Sequence, residues 1–399
     1  MTELLEKERK IPVLGSCDVF VAGGGVAGVS AALAAARNGA SVILTEKQCI
    51  LGGLATAGLV TIYLPLCDGM GRQVSFGLAE ELFRLSIRHG AEERYPKAWL
   101  ENGTDEERKK ERFEVQFNAS LFAIEMEREL IKAGVKILYD TQICSVNTNG
   151  DKIDAMIVEN KSGRCAYEVK SVVDASGDAD ICKFAGEKTV NFAPGNILAA
   201  WSYGFKNGKI GLNMLGYSEI PDEDKTGDEP KPLMNRRFSG INGEEISEML
   251  QCAHEQILNN FKKERKNDNK YVPVTIPTMP QLRMTRGIAG KYTLGTKDEH
   301  KEFNDSVGMF SNWKKRGPVY ELPFSSLHGN RIKNLICGGR CISAEDSMWD
   351  VTRVIPVCAV AGQAAGTAAA MSSDFDNIDI VALQRKLKSD GVKLHESEL

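Results

Sequence analysis

The stretch Cys17–Lys47, CDVFVAGGGVAGVSAALAAARNGASVILTEK, divides by its periods into a strand, a glycine turn, a helix and a second strand. Val19–Ala22 is short, apolar and partly β-branched, as a strand buried on both faces of a parallel sheet should be. Gly23, Gly25 and Gly28 then give G-x-G-x-x-G. The first permits a tight turn, the second lets backbone approach a pyrophosphate, and the third removes the side chain that would hold the helix off the strand. The helix that starts at Val26 and Ala27 offers free N–H groups and a partial positive charge to the phosphates. Asn38-Gly39 suits a helix stop, and Ser41–Leu44 returns as the second strand. Glu46, followed by Lys47, stands 18 residues beyond Gly28, where a carboxylate accepts hydrogen bonds from adenosine ribose hydroxyls. A glycine turn alone also occurs in other α/β proteins. Here strand, turn, helix, cap, strand and carboxylate follow in order, so a bound dinucleotide is expected.

The 399 residues allow two or three domains at roughly 100 to 200 residues each. With 42% apolar and 26% charged residues, the composition suits a compact soluble protein with a sizeable core and not a disordered chain. Fifty basic residues oppose 54 acidic ones for a net charge of -4, without a long single-sign run, so nucleic acid is not expected as a partner. The start, MTELLEKERKIPVLG, lacks the apolar core of a secretory signal, and no apolar stretch of about 18 residues occurs elsewhere. A cytoplasmic protein with no membrane partner is expected. Ten cysteines are scattered without a C-x-x-C pair, which suggests neither a disulfide framework nor a metal site. Cys337 and Cys341 flank a glycine pair and read as small buried hydrophobes.

Three further segments bear on which dinucleotide is bound. Lys47–Thr56, KQCILGGLAT, places Gly52, Gly53, Leu54, Ala55 and Thr56 just past the ribose-binding strand. This resembles flavoproteins of the glutathione-reductase-like superfamily, in which such a pair lets the chain run close to the flavin's ribitol and diphosphate. Phe122–Leu130 is expected as a helix and Val135–Tyr139 as a parallel strand. Ile143–Val146, Ile153–Glu159 and Ala166–Val169 alternate around Asn149-Gly150 and Ser162-Gly163, an antiparallel meander whose Ile143 joins the expected cofactor set. Val172–Asp174 re-enters the sheet and ends in Ala175, Ser176 and Gly177, small residues that permit another backbone approach. Near the carboxyl end, Asn334–Cys337 is a strand, Gly338-Gly339-Arg340 a glycine turn, and Pro356 opens a helix carrying Ala361 and Gly362. Pointed at the flavin N1–C2=O edge, that helix would stabilise the anionic reduced ring.

On VAGGGVAGVSAALAAARNGASVILTEK, LGGLATAG, VVDASGDAD, RMTRGIAG and NLICGGRCISAEDSMWDVTRVIPVCAVAGQAAGTAAA, the chain resembles the FAD-dependent oxidoreductase family often called FAD_oxidored. The resemblance runs from about residue 17 to 371. It implies non-covalently bound FAD and redox chemistry on a small organic molecule. The expected fold is α/β: a Rossmann-like FAD-binding domain with a parallel sheet and an inserted antiparallel meander, plus a mixed α+β substrate, or cap, domain. Residues 1–70, 118–190 and 330–375 are assigned to the first, 71–117 and 191–329 to the second, and 376–399 to a helical tail. The sequence departs from the family pattern at Ser326–Gly329, where a proline-containing turn is expected. His328 is then read as a solvated turn residue, and His89, His254, His300 and His395 as lying in charged or helical settings without partners.

In the cap, Gly77–Gly90 shows helical spacing, Asp105–Arg112 reads as a solvated charged face and Asp222–Pro232 as a surface loop. Arg283 and Arg286 end an apolar strand pattern, and Arg353 lies in a loop before the helix placed under the flavin. Guanidinium groups there would bind a carboxylate or hold charge that develops as hydride moves. Pairing with Asp350, Glu345 or Asp346 is the structural alternative. Asp350 and Cys67-Asp68 are candidates for a general base. The expected reaction is hydride transfer between a small organic substrate and flavin N5, with an unidentified electron acceptor. There is one nucleotide fingerprint and no C-x-x-x-x-C after it, which disfavours a disulfide reductase. Reduction of an activated C=C, as in fumarate-reductase-like proteins, and non-redox dinucleotide binding, as in thiazole-synthase-like ones, stay open.

Overall fold

The computed structural model describes residues 4–5, 8–216 and 231–399. Most of the segment 222–232, expected as a surface loop, lies outside the described residues.

The glycine-turn unit forms as its periods require: strand Val13–Ala22, helix Val26–Arg37, strand Val42–Thr45. These strands belong to a seven-stranded sheet in the order Lys136–Leu138, Val42–Thr45, Val13–Ala22, Gly163–Asp174, Lys152–Asn160, Gln142–Asn149. Leu335–Cys337 pairs in parallel with the carboxyl half of Gly163–Asp174. The two segments Ala166–Val169 and Val172–Asp174 are one continuous strand. Along one edge it pairs in parallel with Val13–Ala22 from Ala166 to Asp174; along the other its first half is the last leg of the meander, antiparallel to Lys152–Asn160, and its end pairs in parallel with Leu335–Cys337. Period alone could not show this, because nothing in the local sequence marks where a strand changes neighbours.

The helix Ile355–Met371 carries Pro356 in its first turn and is buried almost throughout. It packs on Val26–Arg37 backbone to backbone. A Cβ on Gly362 would stand 2.2 Å from the Ala27 carbonyl oxygen, and one on Gly366 2.0 Å from that of Ala31. Both glycines recur at i, i+4, facing residues that also recur at i, i+4, so a single stripe brings the helices together. Gly28 serves the same close packing at the strand, since its Cβ would meet the Gly23 carbonyl oxygen at 1.8 Å.

The cap contains a three-stranded sheet, with Ala200–Lys206 between Lys209–Leu215 and Val272–Thr275, and the long helix Gly243–Asn267. A short pair, Thr189–Asn191 with Arg286–Ile288, joins it to the Rossmann-like part. Cap and sheet are stitched by Tyr203 and Thr61 hydroxyls 2.7 Å apart and by Gln281 Nε2 donating to the Gly58 carbonyl at 2.6 Å. Residues 78–86, 105–110 and 380–389 are helical. Among the described residues no single helix is long and apolar enough to cross a membrane.

Candidate cofactor and active site

Register aligns the carboxyl ends of four parallel strands. Thr45 and Asp174 are both paired with Ala22, and Cys337 is paired with Asp174. The residues that follow, Glu46, Gly23, Ala175 and Gly338, open one cleft outside the sheet, the position where open α/β sheets bind ligands. Together with the open solvent at its mouth it encloses about 1120 Å³. The front of the chain contributes Gly23, Gly25, Val26, Ala27, Glu46, Lys47, Gly52, Gly53, Leu54 and Ala55. Ile143, Ala175, Ser176 and Gly177 come from the middle, and Gly339, Arg340 and Arg353 from the back. Four expected cofactor residues lie outside the lining. Gly28, Ala361 and Gly362 are used in helix packing, and the Thr56 hydroxyl donates to the Leu51 carbonyl, closing the turn beneath Gly52 and Gly53.

The cleft suits an elongated dinucleotide. Gly25 caps the first helix without a side-chain hydrogen bond, and a Cβ placed on it would find no atom within 4 Å, so the space beside it is open cleft. The Glu46 carboxylate accepts from the Gly24 and Gln48 N–H groups, each at 2.8 Å; its burial pushes its pKa up against them. The helix Ile355–Met371 also starts without a side-chain cap, and Ile355 and Cys358 of its first turn line the cleft. Two helix N-termini without side-chain caps thus meet one groove.

The arginines divide. Arg353 caps the short helix Asp346–Thr352, which replaces the expected loop, and lines the cleft. Its Nε donates to Asp350 Oδ1 at 2.7 Å and its Nη2 donates to the same oxygen, while Lys314 pairs with Oδ2. Burial pushes the Asp350 carboxyl up, but the two cations outweigh it and hold it below its ordinary range. Asp350 is therefore an ionised clamp. Arg286 opens a strand where a strand end was expected, and its Nη2 donates to Asp180 at 2.6 Å and its Nε to the Asp178 carbonyl at 2.8 Å. Arg283 lies in the irregular segment before it, stacked 4.7 Å over the Trp201 ring. Neither Arg283, Arg286 nor Asp350 lines the cleft, so Arg353 is the one of these four that does.

Residues 18–191 and 197–387 match the model of the family described as FAD dependent oxidoreductase. The chain belongs to that family. FAD is its cofactor. Solved structures to which this chain shows similarity include p-nitrophenol 4-monooxygenase PnpA from Pseudomonas putida DLL-E4, 14% identical, with a TM-score of 0.44 over 94% of this chain and 81% of that one. A second is the 3-ketosteroid-delta4-(5alpha)-dehydrogenase from Rhodococcus jostii RHA1, 12% identical, with a TM-score of 0.42 over 90% and 98%. Thermovibrio ammonificans THI4 is 19% identical, with a TM-score of 0.32 over 44% of this chain; the match spans 64% of THI4, under two thirds of its length. No curated protein matches the sequence.

Several residues of the flavoenzyme's cleft were not singled out from sequence. Asp178 binds Thr285 Oγ1 at 2.6 Å and Arg340 Nη2 at 2.8 Å, tying the 175–180 loop to the cap and to the glycine turn. Asp180 is pushed up to about 6 by burial, then by Asp178 and Asp174, against Arg286 and Lys47. Their signal was the D-x-D that follows Ser176-Gly177. Met279 reaches the cleft from the cap, and Cys358 from the helix, its thiol pushed up to about 12 by burial. Lys314 carried no signal, because its partner lies 36 positions away. Cys337 lies 3.4 Å from the Cys182 sulfur with Asp174 beside them, a contact across 155 positions. The Asp174 oxygens are already engaged by Ser176, Ile181 and Cys182.

The histidines correct the sequence reading. His89, His300 and His395 have carboxylate partners in Glu125, Glu396 and Glu321, at 3.0, 2.7 and 3.1 Å. His328 is not solvated. It is buried against the rings of Phe324 and Phe375, and burial lowers its pKa from 6.5 to about 4. Between those values the unfolded chain holds the proton and the folded one does not, so stability rises with pH. The contribution is present above pH 6.5 and is lost as pH falls to about 4, at most roughly 3 kcal/mol. His328→Leu is expected to flatten that part of the acid-unfolding profile, measured by melting temperature against pH. An unchanged slope would show the titration lies elsewhere.

Proposed function

We propose that this flavoenzyme exchanges hydride between a small organic substrate, bound between cleft and cap, and flavin N5, with an unidentified partner taking or giving the electrons. Bound FAD supplies the hydride chemistry. The chain's own residues fix charge around it. Arg353 holds a cation in the cleft wall, and with Nε and Nη2 spent on Asp350 its Nη1 edge is the one left for a substrate carboxylate or for developing negative charge. Asp350, clamped from the other side by Lys314, positions that guanidinium. The uncapped amino end of Ile355–Met371 adds a second positive potential at the same end of the cleft. Gly23, Gly25, Gly52, Gly53, Ala175, Ser176 and Gly177 let backbone approach the diphosphate and ribitol, and Glu46 takes the adenosine ribose.

The observation that carries this reading is Arg353 in the cleft wall. Anaerobic mixing of the oxidised holoprotein with alcohols, amines and hydroxy acids is expected to bleach the flavin for one class. Recolouring of the reduced protein by an enoate, with no bleaching by any donor, would reverse the direction to C=C reduction. A purified protein that is colourless and takes up no FAD would exclude redox catalysis.

A further inference from the structure

We propose that the outer end of the cap docks on an anionic lipid surface. The central cap strand Ala200–Lys206 uses its two faces differently. Ala200 packs with Met249, Ala253 and Ile257 of the long helix, whereas Trp201 packs on Ile62, and Tyr203, on the same face, reaches Thr61. On that second face the register sets Ile210 and Val272 opposite Phe205, one apolar row across three strands. The row lies beyond the contact with Thr61 and Ile62. Ile210 keeps 62% of its surface exposed and Val272 42%.

The same end is strongly basic. The hairpin brings Lys206 and Lys209, and the end of the long helix and the turn after it bring Lys262, Lys263, Arg265, Lys266 and Lys270, all exposed. Among the described residues, two carboxylates lie among these seven cations, and both are engaged. Glu264 pairs with Lys206 at 2.5 Å, and Asp268 accepts from the Lys270 and Asn207 N–H groups. Among the described residues, Lys209, Lys262, Lys263, Lys266 and Lys270 have no carboxylate partner. This end is opposite in sign to the chain as a whole, whose net charge is -4.

A second copy docked through the same end would bring like charges together. A stable protein partner needs about 800 Å² per side, more than a row of three side chains offers. A bilayer accepts a few aliphatic side chains between its headgroups and binds lysines through their phosphates, with no matching shape required. Sequence gave no sign of a membrane partner because a span is a continuous segment, whereas this patch gathers residues 205–210 and 262–272 only in the folded cap.

Flotation of the FAD-loaded protein with vesicles of phosphatidylcholine, alone or mixed with phosphatidylglycerol, tests the assignment. Capture is expected with the anionic vesicles only, weakening as salt is added. Lys262→Glu/Lys263→Glu/Lys266→Glu and Ile210→Ser/Val272→Ser are each expected to reduce capture about tenfold or more with flavin content unchanged. No capture by anionic vesicles overturns the proposal. Equal capture of the charge-reversed variant at normal flavin content does so too. Capture by immobilised polyglutamate but not by vesicles would give the surface to an acidic protein instead.

Discussion

Gly25→Val is expected to give a folded, colourless protein. Most glycine substitutions in this turn would fail for a different reason. A side chain on Gly23 would meet the Ala175 carbonyl oxygen at 2.6 Å, and one on Gly28 the Gly23 carbonyl oxygen at 1.8 Å, so both collide with protein before any ligand is considered. Gly25 differs on both counts. Its φ of -65° and ψ of 176° are open to any residue, and its Cβ would have no neighbour within 4 Å. The two valine methyl groups therefore project into the cleft, where the diphosphate must approach the helix N-terminus. Overpacking at a tight contact costs roughly 3 kcal/mol, which weakens FAD binding by about two orders of magnitude. The ratio of flavin to protein absorbance after purification, and the melting temperature of the flavin-stripped wild type beside that of the variant, read the two effects separately. Normal flavin content at a normal melting temperature would remove the glycine turn from the cofactor site. Gly28→Val, by contrast, is expected to lose the fold itself.

What could be read in the chain follows from the range over which its signals act. The βαβ unit, the glycine pair at Gly52-Gly53, the small residues at Ala175–Gly177 and the alanine-rich helix Ile355–Met371 are local patterns, and each forms near its expected place. Their convergence is set by register, Ala22 beside Thr45 and Asp174, and parallel strands of one period leave little freedom there. The glycine stripe of Ile355–Met371 was legible as a close approach but not by its partner. Gly362 and Gly366 read equally well against a ligand or a helix, and only the carbonyls of Ala27 and Ala31 decide between them. Charged side chains were least legible, because an ion pair joins residues by space. Arg286 and Arg353 look alike in sequence. One is spent on Asp180 and the Asp178 carbonyl; the other pairs with Asp350, a neighbour the sequence offered, and still stands in the cleft wall, a placement that no local pattern marks. His328 misled for the same reason, since a His-Gly turn is solvated only if nothing like Phe324 and Phe375 closes over it.

Arg353→Met should keep FAD bound while lowering kcat about a hundredfold or more, the size of effect seen when one preorganised donor to developing charge is removed. The variant is suited to the question because of what it leaves behind. Asp350 remains ionised and buried, but Lys314 still pairs with its second carboxylate oxygen, so no charge is stranded and the fold should tolerate the change. Asp350→Asn acts in the opposite way. It leaves Arg353 and Lys314 side by side, with side-chain exposures of 11% and 21%, and no anion between them. Breaking such a pair destabilises by roughly 3 to 5 kcal/mol, so this variant should lose both stability and turnover. Combining the two separates positioning from contact. If Asp350 serves only to hold Arg353, the double variant should turn over no more slowly than Arg353→Met alone while recovering part of the lost stability, a non-additive cycle. The substrate to use is whichever compound bleaches the wild-type flavin, with kcat and KM measured apart. Unchanged kcat in Arg353→Met at full flavin content would take the guanidinium out of the reaction. Strictly additive losses would mean that Asp350 meets the substrate itself.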